Sequence, residues 1–243
     1  MALKLYNGEP QHDNFCRMGD FYATRDMAAA DQPYQFPLGA QISLPETFDF
    51  EGDQIQSESF LAETDTSALL VIHDGQICFE HYYLTGGKTV RWTSWSVAKS
   101  FVSALLGIAI DEGLIGSVSE PVSKYVPELS GSAYDGVSIK NVLQMSSGAR
   151  WNEDYSDRSS DIHQLGRAMA GEQSLSNFVS AIQNQTPPGS LCQYNSADTQ
   201  ALGMLLTAAT GRTLSDYMFE KISQPLGMES PGYWLLDLSL IHI

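Results

Sequence analysis

The feature that most constrains this chain is the segment Ser96 to Leu114, SVAKSFVSALLGIAIDEGL, an apolar stretch with a serine and a lysine at its head. Phe101, Leu105, Leu106, Ile108, Ile110 and Leu114 spread apolar surface over far more than one helical stripe. A helix of that kind is expected to be buried on most sides, so the remaining chain must wrap it. Gly107 is expected to permit close packing, and Gly113 to fall near the helix end. A helix starting at Ser96 puts Ser96 and Lys99 on one face, because residues three apart are surface neighbours.

Around this segment the pattern is one hairpin and many helices. Ala68-Leu69-Leu70-Val71-Ile72 and Ile77 to Tyr83 read as paired strands, joined through His73-Asp74-Gly75-Gln76. Asp-Gly between two such runs is a strong hairpin signal. Helices are expected after Ser138, over Asp161 to Met169, over Leu175 to Ile182, from Ser196 to a stop at Gly211, and over Leu214 to Ile222. Ser147-Gly148 and Pro187-Pro188-Gly189 read as breaks. Residues 1–60, polar and punctuated by glycine and proline, read as a lead-in with little regular structure. A two-stranded hairpin is marginal alone, so something must complete its sheet. Tyr233-Trp234-Leu235-Leu236 reads as the first of the missing strands. The shortage of strands points to part of a larger fold, and a mostly helical protein with a small hairpin is the competing arrangement.

Composition excludes several classes. Against 29 acidic residues stand 13 basic ones, a formal charge of -16 that repels nucleic-acid phosphates. The plain reading of the acidic surplus is a solvated surface. Cys16, Cys78 and Cys192 form neither a disulfide framework nor a zinc knuckle, and Cys78 reads as a buried free thiol in a strand. His12 and His163 lie in polar surroundings without ligand spacing, and His73 and His81 belong to the hairpin. No metal and no cofactor is expected. No segment has the apolar length of a membrane span, and the first residues lack a signal-peptide core, which makes the cytoplasm the default and leaves the periplasm open if the amino terminus is incomplete.

The chemistry rests on the serine and the lysine. A serine hydroxyl is a weak nucleophile until a base takes its proton, and a lysine is a base only when neutral. Trp95, Val97, Phe101 and Val102 are expected to supply the dry setting that favours the neutral amine. The helix start favours developing negative charge, and the Ser96 backbone N–H suits an oxyanion hole. Spacing alone is a weak signal, since a serine cap with a solvated lysine produces the same pattern. The other common serine-hydrolase arrangement, a G-x-S-x-G elbow, does not occur in the chain.

Three longer stretches carry a resemblance. RWTSWSVAKSFVSALLGIAIDEGLIGSVSEPVSKYVPEL resembles the nucleophile region of the serine β-lactamase-related superfamily, in its class C-like and esterase branch. SAYDGVSIKNVLQMSSGARWNEDYSD resembles the 6-aminohexanoate-dimer hydrolase group of that branch, and PPGSLCQYNSADTQALGMLLTAATGRTLSDYMFEKISQPLGM is similar to the segment bearing the family's catalytic tyrosine. The resemblance implies an α+β, β-lactamase/transpeptidase-like fold. It implies Ser96 as the acyl-forming nucleophile, Lys99 as its proton-accepting partner and Tyr194 as the group that protonates the leaving group. Tyr155 resembles a substrate-side loop tyrosine, a surface loop being the plain alternative. Ser196 stands where the family's Tyr-x-Asn element has asparagine, which turns the substrate-binding expectation away from a β-lactam. Asn195 reads as a cap for the next helix, and Glu153 and Asp154 receive no role. The implied function, in the full-length parent, is a serine hydrolase acting through an acyl-enzyme on a small ester or linear amide. A β-lactamase or D-alanyl peptide hydrolase, and a non-catalytic acyl-binding or sensor module, are the alternatives. A small-molecule substrate is expected, with no nucleic acid and no membrane; the oligomeric state is not legible.

The resemblance also implies an absence. The family's third element, a Lys/His-x-Gly or Gly-x-Gly strand, lies well over a hundred residues beyond the tyrosine. The chain is therefore expected to be truncated at its carboxyl end, lacking the later sheet strands and the closing helix. The domain reading is 1–60 lead-in, 61–236 partial hydrolase domain and 237–243 a read-through tail, DLSLIHI departing from the family pattern; an authentic short terminus is the alternative. In that state the hairpin edge is expected to stay unpaired and the apolar helix partly exposed, so that the 243-residue chain alone hydrolyses nothing efficiently.

Overall fold

The structure, a computed structural model, describes residues 11–84 and 87–237. In chain order its elements are α1 (Gln11–Phe15), β1 (Thr24–Met27), β2 (Thr47–Phe50), β3 (Asp53–Gln56), α2 (Ser57–Glu63), β4 (Ala68–His73), β5 (Gln76–Tyr82), α3 (Ala98–Asp111), α4 (Ile139–Leu143), α5 (Asp161–Arg167), α6 (Leu175–Ser180), α7 (Ser196–Thr210), α8 (Leu214–Met218) and β6 (Gly232–Leu235). The described residues form two compact units: one takes 11–17 and 34–93, and the other takes 18–33 and 94–237. The first 60 residues contribute to both.

The smaller unit is built on two hairpins. Strands β4 and β5 pair antiparallel, Ala68 opposite Tyr82 and His73 opposite Gln76. Asp74 and Gly75 both have positive φ, 49° and 74°, the type I′ geometry that matches the twist of paired strands. Among the described residues this pair has no third strand, only a single-residue parallel bridge from Leu38 to Ile77. Leu70 and Ile72 remain exposed on it. The second hairpin, β2 with β3, turns through Glu51 and Gly52 with φ of 51° and 94°. Phe48 packs edge-to-face on Phe60 of α2 with ring centroids 5.4 Å apart. The lead-in expected to lack regular structure therefore carries a hairpin, two helices and strand β1. The alternation of Phe48, Phe50 and Ile55 is short, and glutamate is an uncommon residue at φ > 0, so the pattern is faint in sequence.

The larger unit is helical, with α7 at its centre. Helices α3, α4, α6 and α8 pack against α7. Ala197, Asp198 and then every residue from Gln200 to Leu206 are buried. Asn195 caps its start, accepting from the Ala197 amide at 2.8 Å, and Gly211 closes it at φ 63°. The all-round burial expected of the Ser96 segment thus belongs to α7. Helix α3 buries one face, Val102, Leu105, Leu106 and Ala109, while Ser100, Ser103, Ala104 and Gly107 are exposed. The exposed stripe is made of small residues, which bring little apolar area to bury. Among the described residues nothing outside the helix lies within 4 Å of a Cβ built on Gly107, so none of them packs closely there. Gly113, with φ 73°, follows the helix end as read.

Strand β6 forms where the sequence suggests one, but its partner differs. It pairs antiparallel with β1, Thr24 opposite Leu235 and Met27 opposite Gly232, instead of extending the β4–β5 hairpin. Trp234 is thereby buried in the helical core. Helix α8 stops at Met218, and 219–223 continue as a wider turn. Asp237 accepts a hydrogen bond from the Leu175 amide at the start of α6. The rest of the predicted read-through tail, 238–243, lies outside the described residues.

Candidate active site

Ser96 sits in a tight turn, Trp95–Val97, that leads into α3, and not in the first turn of the helix itself. Trp95 adopts φ 46°, a strained conformation for a bulky residue, and this sets the direction in which the chain enters the turn. The spacing of three residues still brings the side chains together. Lys99 Nζ donates to Ser96 Oγ at 3.0 Å. Tyr194 OH donates to the same oxygen at 2.8 Å, across 98 residues of sequence. Lys99 Nζ also lies 5.1 Å from the Tyr194 ring centroid. A cleft of about 260 Å³ opens beside Lys99, lined by Ser100, Ser103, Val142, Met145 and Leu202.

Of the chain neighbours expected to keep the lysine dry, Val102 is buried and Trp95 and Phe101 are half-buried, but Val97 stays in solvent. Val97 is 61% exposed and Tyr194 is 46% exposed. Ser96 is exposed too, and Val97 stays outside the core that Val102 enters.

Tyr194 is held through its neighbours. Gln193 N–H donates to the Met145 carbonyl at 2.8 Å, and Asn195 N–H donates to Met145 Sδ at 3.3 Å. Met145 has φ 54° and opens the break read at Ser147-Gly148. At Gly148, φ 82°, a Cβ would lie 2.1 Å from the Thr186 carbonyl oxygen, so only glycine allows the loop at 184–189 to close on this turn. The Gly148 carbonyl then accepts from Gln185 and Thr186 N–H at 2.8 and 3.1 Å.

Beneath Tyr194 lies a buried polar cluster. Asp198 Oδ1 accepts from Ser147 Oγ at 2.7 Å, Asn195 Nδ2 at 2.9 Å and Tyr134 OH at 3.0 Å. Asp198 Oδ2 is buried without a hydrogen-bond partner among the described residues. Burial outweighs the donors from Ser147 and Tyr134, and pushes the Asp198 carboxyl up to about 7. Burial first, then the Asp198 charge, raises the Tyr134 phenol well above its ordinary value.

Tyr155 and Ser196 meet through a third residue. Glu153 Oε1 accepts from Ser196 Oγ at 2.7 Å and from Tyr155 OH at 3.1 Å. Glu153 Oε2 accepts from the Ser196 amide at 3.2 Å and from the Trp151 indole N–H. Burial, with the Glu153 charge second, pushes the Tyr155 phenol up to about 12. Ser96, Lys99 and Tyr194 are thus in direct contact, whereas Tyr155 and Ser196 are joined to each other by Glu153. Sequence reasoning passed over Glu153, Asp198 and Met145. The one available signal was the alternation Trp151, Glu153, Tyr155, which in extended backbone puts all three side chains on one side. Among the described residues, no group of three or more His, Cys, Asp or Glu side chains is placed to hold a metal ion.

Comparison with known proteins gives the family and the fold. The Beta-lactamase family model matches residues 59–238. The 6-aminohexanoate-dimer hydrolase of Paenarthrobacter ureafaciens is 31% identical over 225 residues, covering 86% of this chain and 54% of that protein. A beta-lactamase of Yersinia enterocolitica is 25% identical over 169 residues, covering 67% of this chain and 40% of that protein. A solved Bacillus anthracis structure, provisionally named a 6-aminohexanoate-dimer hydrolase, superposes with a TM-score of 0.87 at 21% identity, covering 97% of this chain and 64% of that one. That likeness shows the fold, an α+β arrangement of the β-lactamase/transpeptidase type. The chain spans about half the length of the curated relatives it matches. A family match over most of the chain, on a shared fold with Ser96, Lys99 and Tyr194 gathered at one point, makes this chain a member of the beta-lactamase family, in the superfamily that includes the 6-aminohexanoate-dimer hydrolases.

Proposed function

We propose that the protein is a serine hydrolase that forms an acyl-enzyme at Ser96 from a small ester or linear amide. The observation that carries this reading is the meeting of two proton carriers, Lys99 Nζ and Tyr194 OH, on one serine oxygen. A nucleophilic hydroxyl needs a base within about 2.6–3.2 Å, and both contacts lie in that range. In the acylation step Ser96 Oγ bonds to the substrate carbonyl carbon. Its proton passes to the Lys99–Tyr194 pair. The carbonyl–leaving group bond then breaks, and Tyr194 returns the proton to the departing oxygen or nitrogen. Water afterwards cleaves the Ser96 ester and releases the acid.

Two observations favour an ester or linear amide over a β-lactam. Ser196 occupies the third position of the Tyr-x-Asn element, and its hydroxyl hydrogen is engaged by Glu153. The identity to the 6-aminohexanoate-dimer hydrolase, 31%, also exceeds that to the Yersinia beta-lactamase, 25%.

The test is covalent labelling followed by turnover. The whole protein, and not the 243-residue chain alone, is mixed with p-nitrophenyl acetate, and its intact mass and tryptic peptides are measured. One acetyl group on Ser96, absent from Ser96→Ala, is the expected outcome. Acetylation elsewhere, or labelling that survives Ser96→Ala, would sink the reading. Turnover of an activated ester, a chromogenic cephalosporin and an aminohexanoate dimer then ranks the substrate classes. Acylation at Ser96 without product release would instead identify an acyl-binding or sensor protein.

A further inference from the structure

Glu153 has no part in the acylation steps above, yet its carboxylate gathers donors from two distant segments. Trp151 and Tyr155 flank it in its own loop, and Ser196 begins α7, 43 residues later. A carboxylate only accepts hydrogen bonds, and a serine hydroxyl has a single hydrogen to give. At 2.7 Å from Glu153 Oε1, that hydrogen is committed, and what Ser196 presents outward is lone pairs. The Tyr155 hydroxyl hydrogen is committed in the same way.

This polarity faces the side on which Tyr194 works. Asn195 is extended, with φ -145° and ψ 108°, so Tyr194 and Ser196 project to one side and Asn195 to the other. The exposures agree: Tyr194 is 46% exposed and Asn195 2%. A substrate atom reaching the space beside Tyr194 therefore meets acceptors on Ser196 and Tyr155, with the charge of Glu153 behind them. An N–H is stabilised there, and a carbonyl oxygen is repelled.

We propose that Glu153 is a positioning and specificity-determining residue that locks Ser196 as an acceptor-only hydroxyl, so that the site selects an acyl group bearing an N–H donor beside Tyr194 over one bearing a carbonyl oxygen there. The inference rests on the reading of Ser96 as the acylated residue. Glu153→Gln keeps the shape but replaces one carboxylate oxygen by a donor, which frees the Ser196 hydroxyl to turn.

The test uses pairs of p-nitrophenyl esters whose acyl chains carry a secondary amide, N–H in one and N-methyl in the other, with the amide placed at successive distances from the ester carbonyl. The quantity read is the ratio of Ser96 acylation rate constants, N–H over N-methyl, from the burst of nitrophenolate and the intact mass. At one spacing the wild-type ratio is expected to reach about tenfold or more, the size of one hydrogen bond to a charge-backed acceptor. Glu153→Gln and Ser196→Ala are each expected to reduce it to below about threefold, the second serving should the first fail to fold. A merely structural Glu153 would slow both esters by one factor and leave the ratio intact, and that result overturns the proposal. So does a wild-type ratio near unity at every spacing. Absence of acylation by any ester overturns the Ser96 reading and this inference with it, whereas acylation without N–H preference overturns the inference alone.

Discussion

The two sides of the segment from Gln193 to Asp198 are built from similar parts in different surroundings. Outward, Tyr194 meets Ser96, and Ser196 meets the carboxylate of Glu153. Inward, Asn195 meets the carboxylate of Asp198, together with Tyr134 and Ser147. Each side holds a tyrosine, a serine and an acid. The Glu153 carboxylate is half-buried and both of its oxygens are engaged, while Asp198 is 1% exposed with one oxygen unpartnered among the described residues. Desolvation penalises the ionised form on the inner side, and the Asp198 carboxyl rises to about 7. On the function proposed above, the outer side serves the chemistry and the inner side supports it. The same residue types serve both because the dielectric around them differs.

The largest test of this contrast is Tyr194→Phe. Removing a proton carrier is expected to lower Ser96 acylation by about 10²–10⁴-fold. The thermal midpoint should hardly move, since the ring is half exposed. A loss under about tenfold, measured by stopped-flow with a p-nitrophenyl ester, would make Tyr194 a wall of the site and not a proton carrier.

The inner side predicts a pH dependence of stability. Burial pushes the folded Asp198 carboxyl up to about 7 from its ordinary 3.8, so between those limits the native state binds more protons than the unfolded state. Stability is therefore expected to fall as pH rises from about 4 to about 7, by about 4 kcal/mol from this group, and to level off above. Urea midpoints across that range should show the slope, and Asp198→Asn should flatten it. A slope unchanged in Asp198→Asn would assign the dependence to other groups.

Tyr134→Phe is expected to act in the same place with smaller effect. It removes the 3.0 Å donor from a fully buried acceptor. The cost is about 1–3 kcal/mol, or a few degrees in thermal midpoint for a chain of this size. The Asp198 titration should also move upward, because one donor that favours the charged form is gone. The smallest effect is expected at Val97→Ala. Beside the reactive serine yet 61% exposed, Val97 should contribute within about 0.5 kcal/mol. A larger loss would mean that the apolar neighbours of Ser96 enclose it after all.

Much of the local structure was legible. The Asp74-Gly75 turn, the Asn195 cap, the Gly113 and Gly211 terminators and the strand near Tyr233 all follow from short-range chemistry. Ser96 and Lys99 meet because three-residue spacing on helical backbone leaves little choice. The errors concern which surfaces pair. Helix α3 looked like the enveloped helix on apolar count, but its Ser100, Ser103, Ala104 and Gly107 stripe is exposed, and α7 fills the centre. Strand β6 was legible as a strand, not as the partner of Thr24–Met27. Glu153 was passed over because no spacing rule connects it to Ser196.

By itself, then, the sequence determined the turns, the caps and the Ser96–Lys99 pair, since these depend on backbone preference and on spacing within one or two helical turns. The family resemblance pointed to Tyr194 as the third member, but only the tertiary structure decided how it reaches Ser96 across 98 residues, that Met145 holds its neighbours, and that Glu153 and Asp198 organise its two sides. Those contacts depend on which apolar faces are buried together, and that is settled by the competition of all segments for one core.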